Sequence, residues 1–110
     1  MDPVIITLRG EYDLSRQSEL RRTLEPFYNS TYVVLDLTGV SYVDSTCICE
    51  FIRMRQTRAA AGMRPACFVV NDRRFGRLFH FLGLDEIFTV VHSLEEAFET
   101  EFSLARATSA

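Results

Sequence analysis

Lysine is absent from the sequence, so all 12 of its basic residues are arginines. A P-loop uses a lysine to hold phosphates, and Schiff-base enzymes need a lysine amine as their nucleophile. The response-regulator fold places a lysine beside its phosphorylated aspartate. The sequence therefore argues against these three kinds of site in their usual form.

Long apolar runs and targeting signals are also missing. No stretch approaches the roughly 18 apolar residues of a membrane-spanning helix, and the residues from Met1 to Val4 lack the basic and apolar segments of a signal peptide. The net charge of -3 gives no general attraction to nucleic acid. We therefore expect a cytoplasmic protein that neither inserts into a membrane nor binds nucleic acid directly.

Cysteine is scarce, and the three cysteines do not have the spacing of a zinc or redox motif. Cys47 and Cys49 are two positions apart on a predicted helix, about 200° round its axis, so they cannot bind one metal or form a disulfide with each other. Cys67 is far from both in the sequence. We expect reduced thiols, no metal and no cofactor.

The length and composition fit one globular domain. A chain of 110 residues can bury roughly two thirds of its unfolded surface, and its 47% hydrophobic and 25% charged residues are close to the averages for soluble proteins. We expect a single domain at 1–110, with its core at 4–104 and a frayed tail at 105–110.

Strand-like and helix-like patterns alternate along this chain. Apolar and β-branched runs predict strands at Val4–Leu8, Tyr32–Leu37, Pro65–Val70 and Ile87–Val91. Helical spacing predicts helices that begin at Ser15, at Ser45 or Thr46, at Arg73 and at Ser93, and that end near Pro26, Ala61, Leu82 and Leu104. The alternation predicts an α/β fold with a largely parallel sheet, in which Tyr32–Leu37 is the central strand.

Glycines mark the predicted ends of these elements. Gly10 indicates a tight bend after the first strand, and Thr38-Gly39 indicates a turn after the second. Gly62 and Gly83 indicate the ends of two helices, because glycine favours the left-handed conformation that follows a last helical turn.

The segment Asp44-Ser45-Thr46 is the most informative part of the sequence. It brings a carboxylate and two hydroxyls to the start of a predicted helix, whose first amides carry a partial positive charge. A hydroxyl there either caps the helix or marks a place where a phosphate is tolerated. A nucleophilic serine is disfavoured, because G-x-S-x-G is missing and neither His80 nor His92 can be placed beside Ser45.

The charged residues are unevenly distributed. Glu50 and Arg53 are spaced for the solvent side of the second helix and can pair across one turn. Arginines dominate residues 53–77, where Asp72 is the only acid, whereas residues 84–104 are acidic and contain no arginine. Solvated helix faces or a partner-docking surface would explain this polarity, and we favour the first.

Four segments follow one another in an order that is specific as a set. They are LRGEYD at 8–13, VLDLTGVSYVDST at 34–46, the helix from Arg73 that leads to GLDEIF at 83–88, and SLEEA at 93–97. In this order and spacing, the sequence resembles the STAS domains, whose best-known members are bacterial anti-sigma factor antagonists.

The resemblance implies a mixed sheet of about four to five strands, helices packed mainly on one face, and no catalytic activity. It implies that the unmodified protein binds an anti-sigma factor that is also a serine kinase, and that phosphorylation at Ser45 ends this binding, with Thr46 as the alternative acceptor. The residues implied at the partner surface are Asp13, Asp44, Ser45, Thr46, Cys47 and Glu50. The alternative is a STAS adaptor that binds a stressosome-like assembly or a transporter ATPase without a phosphorylation switch.

The sequence departs from the family pattern at two places. Cys47-Ile48-Cys49 replaces the family's Gly-Leu-Gly and puts larger side chains where a kinase docks. The chain also begins too late to hold the strand that usually precedes Val4–Leu8, so the edge of that strand should be bare. We therefore expect a homodimer in which this strand pairs antiparallel with its copy about a twofold axis.

Overall fold

A computed structural model describes residues 3–99 and arranges them around one parallel sheet in the order β1-β2-β3-β4. The strands are β1 Val4–Tyr12, β2 Val33–Val43, β3 Cys67–Val69 and β4 Thr89–Val91. The helices are α1 Gln17–Leu24, α2 Ser45–Ala60, α3 Arg73–Phe81, the single turn α4 Leu84–Ile87, and α5 at 94–99, while 3-10 turns at Leu14–Arg16 and Glu25–Phe27 flank α1. The predicted α/β fold is confirmed, although every described strand pair is parallel where the resemblance implied a mixed sheet.

The helices lie mainly on one face of the sheet, as expected. On that face Phe68 of β3 contacts the rings of Phe51, Phe79 and Phe88, with centroids 4.5–5.6 Å apart. Because side chains alternate along a strand, the neighbours of Phe68 face the other side, where α5 covers them through Ala97. Helices α1 to α4 thus pack on one face and α5 on the other. None of the helices in residues 3–99 is long and apolar enough to cross a membrane.

The first two strands are longer than predicted. Gly10 does not end β1: it adopts φ +86° within a bulge, and a Cβ at this position would lie 3.3 Å from the Arg16 guanidinium. The turn predicted at Thr38-Gly39 is also wrong, because β2 continues beside β1 to Val43. Both strands therefore reach the same edge of the sheet, where the candidate site lies.

The remaining boundaries agree with the sequence more closely. Gly62 and Gly83 follow α2 and α3 with φ of +73° and +71°, as predicted. Ile87 belongs to α4, so β4 is shorter than predicted. The Ser93 hydroxyl accepts a hydrogen bond from the Glu96 amide, which begins α5. The predicted continuation of this helix to 104 and the tail at 105–110 lie outside the described residues.

Arg58 is buried, although the sequence analysis placed it among solvated arginines. Its Nη1 donates to the carbonyls of Tyr28 and Ser30, at 3.0 and 2.6 Å, and its Nε donates to the carbonyl of Arg64 at 3.0 Å. Buried polar groups need such partners, and here the side chain finds them in two loops. Arg58 therefore ties α2 to the segment that leads into β2.

Glu50 was predicted on the solvent side of α2, and this placement is wrong. Its side chain is only 1% exposed and accepts hydrogen bonds from Arg21 at 2.9 and 3.0 Å and from Gln17 at 2.9 Å, both on α1. The predicted pair with Arg53 is present at 3.5 Å. The hydrogen bonds from Arg21 lower the pKa of Glu50, so its charge joins α1 to α2 at neutral pH.

We predict that Glu50→Ala lowers the free energy of unfolding by about 2 kcal/mol at pH 7, because it leaves buried charge-assisted hydrogen bonds unmade. Since the pKa of Glu50 is lowered in the folded state, its contribution is present at neutral pH and is lost as pH falls through the folded pKa. Urea unfolding should therefore show that the difference between Glu50→Gln and wild type shrinks as pH falls below the unfolded-state pKa of a glutamate, about 4.3. Arg53→Ala is the control and should change stability by less than about 0.5 kcal/mol, since Arg53 is largely exposed. A Glu50→Ala protein as stable as wild type would contradict this role.

Candidate functional site

The candidate site lies where β1 and β2 end side by side. The Asp44 amide donates to the carbonyl of Tyr12 at 3.0 Å, which joins the residue after β2 to the last residue of β1. Asp13 follows β1, and its carboxylate accepts a hydrogen bond from the Ser15 amide at 2.9 Å. The structure therefore brings the segment 13–15 and the start of α2 to one edge of the sheet.

Asp44 is the residue that caps α2. One oxygen of its carboxylate accepts hydrogen bonds from the Cys47 amide at 3.1 Å and from the Thr46 hydroxyl at 2.6 Å. The sequence left the cap to Ser45 or Thr46, but Asp44 has the extended backbone of a cap residue and both hydroxyl residues lie inside the helix. The hydrogen bond from Thr46 lowers the pKa of Asp44. The start of α2 therefore carries a carboxylate charge at neutral pH.

The two hydroxyls at the start of α2 differ in their surroundings. Thr46 is half-buried, and its hydroxyl is held by Asp44. Ser45 is exposed, and its side chain makes no hydrogen bond to any other residue in the range 3–99. Ser45 thus presents the accessible hydroxyl of the pair at the positive end of a helix.

The two cysteines of α2 point in opposite directions, as their spacing predicted. Cys47 is buried, and its thiol donates to the carbonyl of Asp13 at 3.3 Å. Burial, followed by the charge of Asp44, raises the pKa of Cys47 to about 11. Cys49 is exposed. Of the two large replacements for glycine, only the one at Cys49 reaches the surface.

The implied partner surface is divided by the structure into two groups. Asp13, Asp44, Ser45 and Thr46 lie together at the edge of the sheet. The side chains of Cys47 and Glu50 are buried, so neither is available to a partner in this structure. The placement of Cys47 and Glu50 on the partner-facing surface is therefore corrected, because both side chains lie in the interior.

Two exposed apolar side chains flank this edge, and neither was predicted from the sequence to be exposed. Leu14 follows Asp13 with 65% of its surface exposed, and Tyr42, near the end of β2, is 50% exposed. Tyr42 also lines a groove of about 370 Å³ with Phe75 of α3. A signal was present, since Leu14 stands alone between polar residues, whereas the β2 pattern gave no reason to expect Tyr42 outside. We call Asp13, Leu14, Tyr42, Asp44, Ser45 and Thr46 the edge surface.

The histidines do not serve this site. His80 bonds to Asp85 at 2.8 Å, and His92 bonds to the carbonyl of Val70 at 3.2 Å. No hydrogen bond joins either ring to Ser45 within residues 3–99. In the same part of the chain, no three His, Cys, Asp or Glu side chains are grouped to hold a metal ion. Among the described residues, neither histidine therefore serves as a base that would activate Ser45 as a nucleophile.

Comparison with known proteins gives one consistent relationship. The sequence matches the STAS domain over residues 1–97. It is 32% identical over 91 residues to proteins named anti-sigma-B factor antagonist from Listeria monocytogenes and Listeria innocua, with 81% of this chain and 79% of each relative covered. These relatives span nearly the same length of chain.

Solved structures with low sequence identity share the fold. A candidate anti-sigma factor antagonist from Thermotoga maritima superposes with a TM-score of 0.79 at 19% identity, covering 89% of this chain and 86% of its own. The anti-sigma factor antagonist SpoIIAA in its unphosphorylated form gives 0.66 at 16% identity, covering 98% and 91%. The Bacillus SpoIIAA in its phosphorylated form gives 0.66 at 20% identity, covering 89% of each chain.

The opposite orientation of the cysteines predicts their reactivity. At pH 8 a thiol reagent should modify Cys49 rapidly in the folded protein and leave Cys47 unmodified, because Cys47 is buried and its pKa is raised to about 11. Absorbance after mixing with the reagent measures this, and Cys49→Ser should lose the fast phase while Cys47→Ser keeps it. A fast phase that disappears in Cys47→Ser would show that the first turn of α2 opens in solution.

Proposed function

The chain belongs to the STAS domain family, and from this premise we propose that it is an anti-sigma factor antagonist whose binding to an anti-sigma factor is ended by phosphorylation of Ser45. The names of the Listeria relatives, which align over most of both chains, support the antagonist role. The observation that carries the choice of Ser45 is its free, exposed hydroxyl at the start of α2, beside a Thr46 hydroxyl already bound by Asp44.

The edge surface has the composition that a regulated docking site needs. Leu14 and Tyr42 provide exposed apolar area at its margins, which a partner can bury. Asp44 directly precedes Ser45, and Asp13 adds a second carboxylate at the same edge of the sheet. The surface therefore combines an apolar contribution to binding with local negative charge that makes a further anion costly.

A phosphoryl group on Ser45 would affect docking more than folding. It adds a charge of roughly -2, which the positive end of α2 and the surrounding solvent tolerate in the free protein. In a complex the same group must be desolvated next to Asp44, and repulsion adds to that cost. The free protein should keep its fold after modification while its affinity for the partner falls.

Of the two cysteines that replace the family's glycines, only Cys49 can affect docking at this surface. Cys47 points into the protein and adds nothing to the surface. Cys49 is exposed at the start of the second turn of α2, where it enlarges the surface by one small side chain. We propose that the partner contacts the edge surface and accommodates Cys49.

The anti-sigma factor is proposed to act as the serine kinase as well as the binding partner, as the family resemblance implies. The protein itself is assigned no catalytic role. Its expected cytoplasmic location stays a prediction that follows from this function.

The acceptor is identified by intact-mass analysis after incubation with the anti-sigma kinase and ATP. Wild type and Thr46→Ala should each gain one phosphoryl group, and Ser45→Ala should gain none, because the accessible hydroxyl is that of Ser45. Ser45→Ala should change the free energy of unfolding by less than about 0.5 kcal/mol, since the Ser45 side chain is exposed and makes no hydrogen bond within residues 3–99.

Two outcomes would change the proposal. Phosphorylation that persists in Ser45→Ala and is lost in Thr46→Ala would move the acceptor to Thr46. A wild-type protein that binds the anti-sigma factor but gains no phosphoryl group would replace the switch by a constitutive adaptor role.

We also propose the homodimer through β1. This strand lies at one edge of the described sheet, with Ile5 exposed on its outer face. The Val4 amide donates to Tyr32 at 2.8 Å, so alternation turns the amides of Ile5 and Thr7 toward the open edge. Arg16 already binds the carbonyls of Arg9 and Glu11. Pairing is therefore limited to the first half of β1.

Light scattering across a range of concentrations tests this dimer. Thr7→Pro removes an outward amide without removing a bond to β2, so it should shift the mass from dimer toward monomer. Thr7→Val keeps the amide and should behave as wild type. A monomeric wild type at every concentration, or a dimer that is unchanged in Thr7→Pro, would exclude pairing through this edge.

A further inference from the structure

A second surface lies at the same edge of the sheet, beyond the ends of β3 and β4. After β3 the chain continues into α3, on the face that α1 to α4 cover. After β4 it continues into α5, which lies on the opposite face. Where adjacent parallel strands send their connections to opposite faces, a crevice opens at their carboxyl ends. Open α/β sheets bind ligands in such crevices.

This crevice is a cleft of about 530 Å³, within the range of small-molecule sites. Its lining residues come from the end of β3, from α3 and from the residue after β4; they are Val70, Asn71, Asp72, Arg73, Gly76, Arg77, His80 and His92. A Cβ at Gly76 would have no atom within 4 Å, so the middle of this wall is open. The lining therefore combines two arginines and two histidines with an open position at Gly76.

Arg73 and Arg77 lie where their positive charges are electrostatically unfavourable, and a bound anion would relieve this. Arg73 and Arg77 are one turn apart on α3, where like charges repel. Arg73 is also the first residue of α3, at the end where the helix dipole disfavours a cation. Within residues 3–99 neither side chain pairs with a carboxylate, since Asp72 bonds to the amide and guanidinium of Arg74.

The two histidines complete the lining. His80 uses Nδ1 to bond Asp85, and His92 uses Nδ1 to bond the carbonyl of Val70, so both rings leave Nε2 available. The hydrogen bond from Asp85 raises the pKa of His80, which favours its protonated, donating form. Asp72 is the acidic residue of the lining, and its carboxylate is engaged at the start of α3.

We propose that this cleft binds a small molecule carrying a phosphate monoester group. A doubly charged phosphate matches the two guanidiniums of Arg73 and Arg77, which bind such oxygens in pairs. The volume exceeds what one phosphate fills, so the open wall at Gly76 and the side of Val70 are left for the organic part. This site is independent of the proposed role of Ser45.

Backbone NMR titration with ribose 5-phosphate tests the proposal, and ribose is the matched probe without the phosphate. Ribose 5-phosphate should give saturable shifts confined to residues 70–80 and 92, and ribose should give none. Arg77→Ala should weaken binding by about tenfold or more, as expected when a charged hydrogen-bonded pair is lost. Arg22→Ala, an exposed arginine on α1, should bind as wild type.

A third variant tests the space rather than the charge. Gly76→Leu should abolish the chemical-shift changes by filling the cleft. Gly76→Ala should keep the fold, since its methyl group meets no atom within 4 Å and alanine favours the helix more than glycine does. Equal shifts with ribose, or unchanged affinity in Arg77→Ala, would overturn the proposal. So would the same shifts with sodium chloride at equal ionic strength, which would indicate screening only. Ser45→Ala should bind the probe normally, so failure here leaves the Ser45 proposal unaffected.

Discussion

The carboxylate of Asp44 determines the arrangement on which the candidate site depends. It accepts a hydrogen bond from the Cys47 amide and so starts α2 directly after β2. It also accepts a hydrogen bond from the Thr46 hydroxyl, which engages one of the two candidate hydroxyls for phosphorylation. The amide of the same residue binds Tyr12, which holds the ends of β1 and β2 together. Ser45 is thereby left exposed and unbonded beside a fixed negative charge, which is the condition that a charge-based switch requires.

The carboxyl edge of the sheet carries two kinds of surface because its connections differ. After β1 and β2 the chain turns to the same face, and the exposed residues there form the acidic and partly apolar edge surface that we propose for a protein partner. After β3 and β4 it turns to opposite faces, which opens a basic cleft suited to a small anion. Asp72 lines both this cleft and the groove beside Tyr42, so the two surfaces adjoin.

Local patterns predicted the fold because they depend on near neighbours in the sequence. The positive φ of Gly62 and Gly83 and the opposite directions of Cys47 and Cys49 follow from helix geometry alone. The burial of Glu50 does not, since its hydrogen-bond partners on α1 are 29 and 33 residues away. A charged residue is normally assigned to solvent unless its tertiary partners are known. For the same reason the sequence placed Asp44, Ser45 and Thr46 at the start of α2, but it did not identify Asp44 as the cap or Glu50 as buried.

We propose that a phosphoryl group on Ser45 ends binding to the anti-sigma factor without unfolding the protein. Calorimetric titration of the anti-sigma factor with the unmodified protein and with protein carrying phosphoserine at position 45 measures this directly. We predict an affinity lower by about tenfold or more for the phosphorylated form, with an unchanged far-ultraviolet circular dichroism spectrum. Equal affinities for the two forms would rule out this switch, and so would a loss of binding accompanied by a loss of helical signal.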